Sequence, residues 1–110
     1  MASQLEEGTL TATASEQILN TTTPQTADGA WQFLVNCQNM VSGDTLEIRI
    51  KEKTLAAGTQ RLVYLDTLIG TQTAPVWVSP AIILLHGWDI TLVQTSGAGF
   101  RNFPWSIRQA

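Results

Sequence analysis

Apolar and polar residues alternate one by one through several stretches of this sequence, and this period restricts the fold more than any other feature. In DTLEIRIKEK, Leu46, Ile48 and Ile50 share one side of an extended chain, and charged residues occupy the other. Side chains of a β-strand point alternately to its two faces, so this stretch predicts a strand with one buried and one solvated face. WQFLVNC, WDITLVQT and NFPWSIRQ repeat the pattern.

The phase of these four stretches predicts which side chains form the core. In WDITLVQT we expect Asp89, Thr91 and Gln94 on the solvated face. The residues expected in the core are Trp31, Phe33, Ile48, Ile50, Trp88, Ile90, Leu92, Trp105 and Ile107.

Turn signals separate the alternating stretches. ADG, SGD, AAGT, IGTQ, HG and SGAG fall between them, and Gly, Asp and Ser favour turns because they reach positive φ or bond their own backbone. Short strands at regular spacing predict an all-β, single-domain antiparallel β-sandwich, jelly-roll or Ig-like, with about eight short strands. The predicted strands cover 7–13, 16–22, 30–37, 45–52, 60–69, 75–79, 88–95 and 103–108.

The 110 residues suffice for one domain. Residues 1–8 carry little apolar sequence, and we expect a flexible N-terminal arm there. Residues 9–110 are then the β-sandwich domain.

Two segments, RLVYLDTLI and PVWVSPAIILL, place apolar side chains on both faces. Because each sheet of a sandwich buries one face, the second face needs a cover, which could be a loop, the N-terminal arm or another chain. We favour another chain. The candidate subunit interface consists of Leu65, Leu68, Ile69, Val76, Trp77, Val78, Ile82, Ile83 and Leu84.

The charge content supports an oligomer and argues against two other classes of protein. Only 14% of residues are charged, the net charge is −3, and the basic residues form no cluster of the kind that nucleic acids require. The apolar stretch 75–94 is interrupted by Pro75, Pro80 and Asp89, so it does not predict a membrane span. We therefore expect neither nucleic acid nor membrane as a partner.

No combination of residues predicts catalysis, a metal site or a cofactor. His86 is the only histidine, and a triad with Ser79 and Asp89 lacks the glycines of a nucleophile elbow. Cys37 is in phase with core residues and is expected to be buried. The carboxylates lack the spacing of a calcium loop. The sequence predicts a protein that is not an enzyme.

The order of the segments resembles small all-β structural proteins of tailed bacteriophage virions, most of all head decoration (cement) proteins. The resemblance extends from about Gly8 to Arg108, and its most specific pieces are MVSGDTLEIRI and GWDITLVQTSGAGFRNFPWSIR. It implies a β-sandwich on the capsid surface, often a homotrimer at local threefold positions, with the major capsid protein as partner. It implies synthesis in the host cytoplasm and no catalytic residues.

Two alternatives remain open, namely a tail or fibre component, and a carbohydrate-binding module that contacts host glycans. Trp77 discriminates between the carbohydrate-binding module and a role in assembly. An exposed Trp77 beside Tyr64 would favour sugar stacking, and a Trp77 buried between chains would favour assembly.

Overall fold

The computed structural model describes residues 3–109 and contains nine β-strands. They are β1 (Ser3–Thr11), β2 (Gln17–Ile18), β3 (Gly29–Asn36), β4 (Thr45–Lys53), β5 (Gln60–Ile69), β6 (Val76–Val78), β7 (Ile82–Leu84), β8 (Trp88–Ser96) and β9 (Asn102–Gln109).

The strands form two antiparallel sheets. Sheet A has the order β1-β9-β3-β6, and β7 also pairs with β3. Sheet B has the order β2-β8-β4-β5. The structure contains no helix between residues 3 and 109, so this part of the chain has no helical segment that could span a membrane. The predicted all-β, single-domain antiparallel sandwich is confirmed.

The core lies between the sheets and contains all nine residues expected there. Trp88 is fully buried near its centre, with its ring centroid 5.6 Å from that of Trp31 and 5.7 Å from that of Phe33. Its indole N–H donates to the Ala27 carbonyl at 2.8 Å, so burial leaves no unpaired polar group on this side chain.

Strand β1 occupies the place where we expected a flexible arm. Ser3–Thr11 pairs with β9 along its whole length, so the part of the predicted arm from Ser3 onwards is strand, while residues 1 and 2 lie outside the described residues. The Glu6 carboxylate accepts hydrogen bonds from the backbone N–H and hydroxyl of Thr21 at 2.8 and 2.7 Å. The strand predicted at 7–13 corresponds to the second half of β1. Backbone pairing at an edge needs no apolar alternation, which is why the sequence pattern missed the first half of this strand.

Strand β8 is buried on both faces, although its alternation predicted one solvated face. Asp89 and Thr91 do point outwards, but Asn20 and Glu16 from the segment around β2 bind their side chains and cover them. Gln94 was placed on the wrong face, because it pairs with Leu46 and points into the sandwich.

One end of the sandwich is organised around the fully buried carboxylate of Asp44. It accepts hydrogen bonds from the Val41 N–H at 3.0 Å and from Arg101 Nε at 2.9 Å. Next to it, Gln94 donates to the Gly99 carbonyl and accepts from the Arg101 N–H. These contacts fix the loop between β8 and β9, which crosses from sheet B to sheet A.

Replacing Gly97 in this loop by alanine is expected to cost more stability than the same change at Gly43. Both glycines have positive φ, 133° and 94°, so both substitutions strain the backbone by roughly 1–3 kcal/mol. Only at Gly97 would the new methyl group collide with the Asp44 carboxylate, whereas Gly43 has nothing within 4 Å. Denaturant unfolding of both variants measures the difference, and equal losses would contradict it.

Candidate interaction surface

The predicted interface residues divide into three groups in the structure. Trp77 and Leu84 belong to the core, and Leu68 and Ile82 are half-buried. The remaining five are exposed: Leu65, Ile69, Val76, Val78 and Ile83.

Strands β5, β6 and β7 together form one lateral side of the sandwich, which we call the β5–β7 side. Strand β5 is the last strand of sheet B, and β6 and β7 form the facing edge of sheet A. The two edges are joined by Trp77, whose indole N–H donates to Asp66 Oδ2 at 2.7 Å and whose ring lies 6.3 Å from that of Tyr64. The inward-facing residues of this side therefore close the core.

The outward-facing residues of the β5–β7 side are unusually apolar. Eight of the twelve exposed large hydrophobic residues in the described chain lie in or directly beside its strands. Ile83 is 78% exposed and Ile69 is 71% exposed. The exposed residues of β5 point to the outer face of sheet B and those of β6 and β7 to the outer face of sheet A, so they flank the two neighbouring edges. Exposed apolar residues that are scattered singly need no explanation, but a concentration of them beside neighbouring edges marks an interaction surface.

Three of these residues were not named as interface residues from the sequence. Leu62 and Val63 lie where the β4–β5 register shifts, and Leu85 directly follows β7. All three fall within the segments whose apolar residues occupy both faces. Their apolar character was visible in the sequence. The register shift beside Leu62 and Val63, which accompanies their outward orientation, could not be read from it.

The backbone edge of β5 is only partly closed within the chain. The Thr67 N–H donates to Asp66 Oδ1 at 2.9 Å, and the Ile69 carbonyl accepts from Gln72 Nε2 at 3.1 Å. These contacts occupy the end of β5 that leads into the β5–β6 loop. Within the described residues, the edge around Leu65 has no such cover.

The edge formed by β6 and β7 is protected in a different way. Three residues, Ser79 to Ala81, oppose two residues of β3, so the edge bulges between β6 and β7. Ser79 Oγ accepts the Phe33 N–H at 2.9 Å, which replaces a ladder bond. A bulge and a proline, here Pro80, prevent continuous pairing of a foreign strand along both β6 and β7, but they leave the edge of β6 from Val76 to Val78 uncovered.

The opposite lateral side, formed by β1 and β2, is polar. Glu6 links β1 to Thr21, and Glu16 binds Arg49 at 2.9 Å and also binds Lys51. Burial alone would raise the pKa of the Glu16 carboxyl, but the hydrogen bonds from Lys51, Arg49 and Thr91 outweigh it and lower the pKa. Among the described residues of β1 and β2, Ile18 is the only exposed large hydrophobic residue, so the apolar residues are concentrated on the β5–β7 side.

The groups with possible chemical reactivity serve structural contacts. Ser79 Oγ donates to the Pro80 carbonyl at 2.8 Å, and the Asp89 carboxylate accepts from Asn20 at 2.6 Å and Gln60 at 3.0 Å. Cys37 is buried as expected, and burial raises the pKa of its thiol to about 12. Among residues 3–109 there is no group of three or more acidic, histidine or cysteine side chains that could hold a metal ion.

Trp77 is neither exposed, as sugar stacking would require, nor placed between chains, as the assembly hypothesis expected. It is 9% exposed and packs within its own chain, between the two sheet edges. Its ring presents no open face to a sugar, although Tyr64 does lie beside it.

Comparisons with protein-family models, with curated proteins and with solved structures found no match to this chain.

Proposed function

We propose that this protein is a non-enzymatic structural protein of a tailed-bacteriophage virion. In this role it is a capsid decoration (cement) protein that binds the assembled lattice of the major capsid protein and stabilises it as a homotrimer. The observation that carries the proposal is the concentration of exposed apolar residues on the β5–β7 side of a chain with few charges. The resemblance of the sequence to virion proteins supplies the biological setting.

The size of the β5–β7 side supports contact with other copies. Ten residues of β5 span about 33 Å, and the smallest dimension of the molecule is 20 Å, so this side covers roughly 600–700 Å². A stable protein interface buries about 800 Å² on each partner. Contact with other copies of the chain therefore matches the area available, and closed symmetry covers the surface in every copy at once.

A decoration protein acts through mass action. It binds the assembled shell and not the dissociated subunit, so every bound copy shifts the equilibrium towards the shell. Such a protein needs a rigid body and contact surfaces but no catalytic group. The sandwich, whose reactive side chains are held in structural contacts, is compatible with this role.

The tail or fibre alternative uses the same surface and differs only in the partner. It is separated from the capsid role by sedimenting the protein with shells assembled from the major capsid protein of the same genome. We expect the protein to sediment with shells and not to bind unassembled capsid subunits. Failure to sediment with shells would exclude the cement role.

A charged residue on the β5–β7 side is expected to dissociate the oligomer and leave a folded, β-rich monomer. Leu65→Asp and Ile83→Asp both place a carboxylate where apolar contact is proposed, and both side chains are exposed in the single chain, so folding tolerates the change. Leu55→Asp is the matched control, because Leu55 is 69% exposed but lies outside this side, between β4 and β5.

Light scattering gives the oligomeric state of each variant, and circular dichroism verifies its fold. An unmodified protein that is monomeric at high concentration would overturn the proposed assembly. Dissociation by Leu55→Asp as well would show that the effect is not specific to the β5–β7 side.

A further inference from the structure

We propose that copies of this chain join by backbone hydrogen bonds between the open edge of β5 in one copy and the edge of β6 in the next. This inference rests on the proposed assembly through the β5–β7 side and specifies how that assembly is made. It predicts a contact between two different edges, not between two identical ones.

The open position on β5 is Leu65. In an antiparallel sheet, the N–H and C=O groups of alternate residues point towards opposite neighbours. The Gly70 N–H bonds to the Asp44 carbonyl and the Lys53 N–H bonds to the Gly87 carbonyl, so even-numbered residues of β4 face β5. Leu65 pairs with Arg49, an odd-numbered residue, and its backbone groups therefore point to the free edge.

The same reasoning finds two open positions on β6. The Cys37 N–H bonds to the Pro75 carbonyl, and the Ser79 N–H bonds to the Phe33 carbonyl. Pro75, Trp77 and Ser79 thus face β3, which leaves the backbone groups of Val76 and Val78 directed outwards. The open parts of both edges are short, so they match in length.

Pairing of β5 with β5 of another copy fits less well. Its register shifts at Leu62–Tyr64, and the segment from Asp66 to Ile69 is partly closed by Asp66 and Gln72. Two such edges would bring two irregular segments against each other. Strand β1 is a poor match for a different reason, because it lies on the polar lateral side.

The outer face of sheet A contains a depression that could receive the Leu65 side chain of the neighbouring copy. Beside Val76 lies a depression of about 210 Å³ that is lined by Leu34, Pro104 and Arg108 among others. Edge pairing at Val76 would bring Leu65 of the next copy to this depression, because both side chains point to outer faces. The contact would then combine backbone hydrogen bonds with apolar burial.

The same pairing is compatible with two closed arrangements. Around a twofold axis, β5 and β6 of one copy pair with β6 and β5 of a single partner. In a ring, each copy contributes β5 to one neighbour and β6 to the other, and three copies arranged in this way give the proposed homotrimer.

Cysteine cross-linking tests the pairing directly. We expect the Leu65→Cys/Val76→Cys double variant to form covalent oligomers under mild oxidation, and neither single variant to do so. Paired Cα atoms in a sheet lie about 5.5 Å apart, within the range for a disulfide. Within one chain the two positions lie on the outer faces of different sheets, so they should not form a disulfide with each other. The native Cys37 is buried, so it should not react with either of them.

Hydrogen exchange on the unmodified protein provides a second measurement that needs no substitution. The Leu65 amide should exchange at least tenfold more slowly in the oligomer than after dilution to monomer. The Thr67 amide, already bonded to Asp66 within the chain, is the reference.

The outcomes separate this inference from the proposed assembly. Covalent dimers of the Leu65→Cys single variant would show that β5 pairs with itself and would overturn the inference. An intact oligomer whose Leu65 amide exchanges as fast as in the monomer would overturn it too, while leaving the β5–β7 side as the interface. A monomeric unmodified protein would refute both.

Discussion

Replacing Ile48 by alanine is expected to lower the free energy of unfolding by about 2–5 kcal/mol. Ile48 is fully buried at the middle of β4, which lies between β8 and β5 in sheet B. Removing its side-chain carbons leaves a cavity that the paired strands on both sides hold open. Denaturant unfolding, with the m-value compared to that of the unmodified protein, measures the loss.

Arg49 is the matched control for this prediction. It follows Ile48 on the opposite face of β4, where it binds Glu16 at 2.9 Å and Glu47 at 3.2 Å. These ion pairs are partly exposed, so Arg49→Ala should cost only about 0.2–1 kcal/mol. Equal losses at the two positions would show that the two faces of β4 do not differ in burial as described.

Replacing Asp44 by asparagine is expected to cost about 2–3 kcal/mol, since hydrogen bonds to a charged group contribute about 1.5–3 kcal/mol. The change preserves the shape of the side chain but removes the charge that holds Arg101, and it turns one acceptor oxygen into a donor group. Val41 and the β8–β9 loop would lose their common anchor. The exposed Asp28 provides the control, and Asp28→Asn should have little effect.

The same carboxylate makes stability depend on pH. The hydrogen bond from Arg101 is the main cause that lowers the pKa of Asp44, and it outweighs burial, which would raise that pKa. A lowered pKa in the folded state means that the stabilisation is fully present above the unfolded-state pKa of about 3.9 and is lost as the pH falls through the folded-state value. Glu16, whose pKa is also lowered, adds a contribution of the same sign.

Unfolding measured between about pH 2 and pH 6 tests this dependence. Asp44→Asn should flatten the loss of stability below about pH 4. An unchanged acid dependence in this variant would contradict the role assigned to Asp44.

The sequence was most informative where a strand has one buried and one solvated face. Strand β4 runs from Thr45 to Lys53, against a prediction of 45–52, and β5 was predicted with its observed bounds. In β4 the burial of each side chain follows from its parity, so the pattern of a single strand suffices. In β5 the parity holds from Tyr64 to Ile69 and located Leu65, whereas Leu62 was missed because it lies beyond the register shift.

The remaining features depend on contacts between distant segments. The indole N–H of the buried Trp77 is satisfied by Asp66, eleven residues earlier, and nothing in the sequence around Trp77 indicates this partner. The strand predicted at 16–22 is reduced to Gln17–Ile18, and the neighbouring Glu16 and Asn20 bind side chains of β8. When polar side chains of another segment cover a strand in this way, the sequence of that strand shows no periodic pattern that would indicate it.

The pairing of β1 with β9 has a consequence for the order in which the protein can be made. Within the described residues β1 pairs only with β9, and Ser3 lies opposite Gln109. During synthesis from the N-terminus, sheet A therefore remains incomplete until β9 has left the ribosome. Contacts so distant in sequence close a long loop, which places folding among the slower, millisecond-to-second class. The other strands of sheet A would be exposed in the meantime, and their folding would precede any contact between copies.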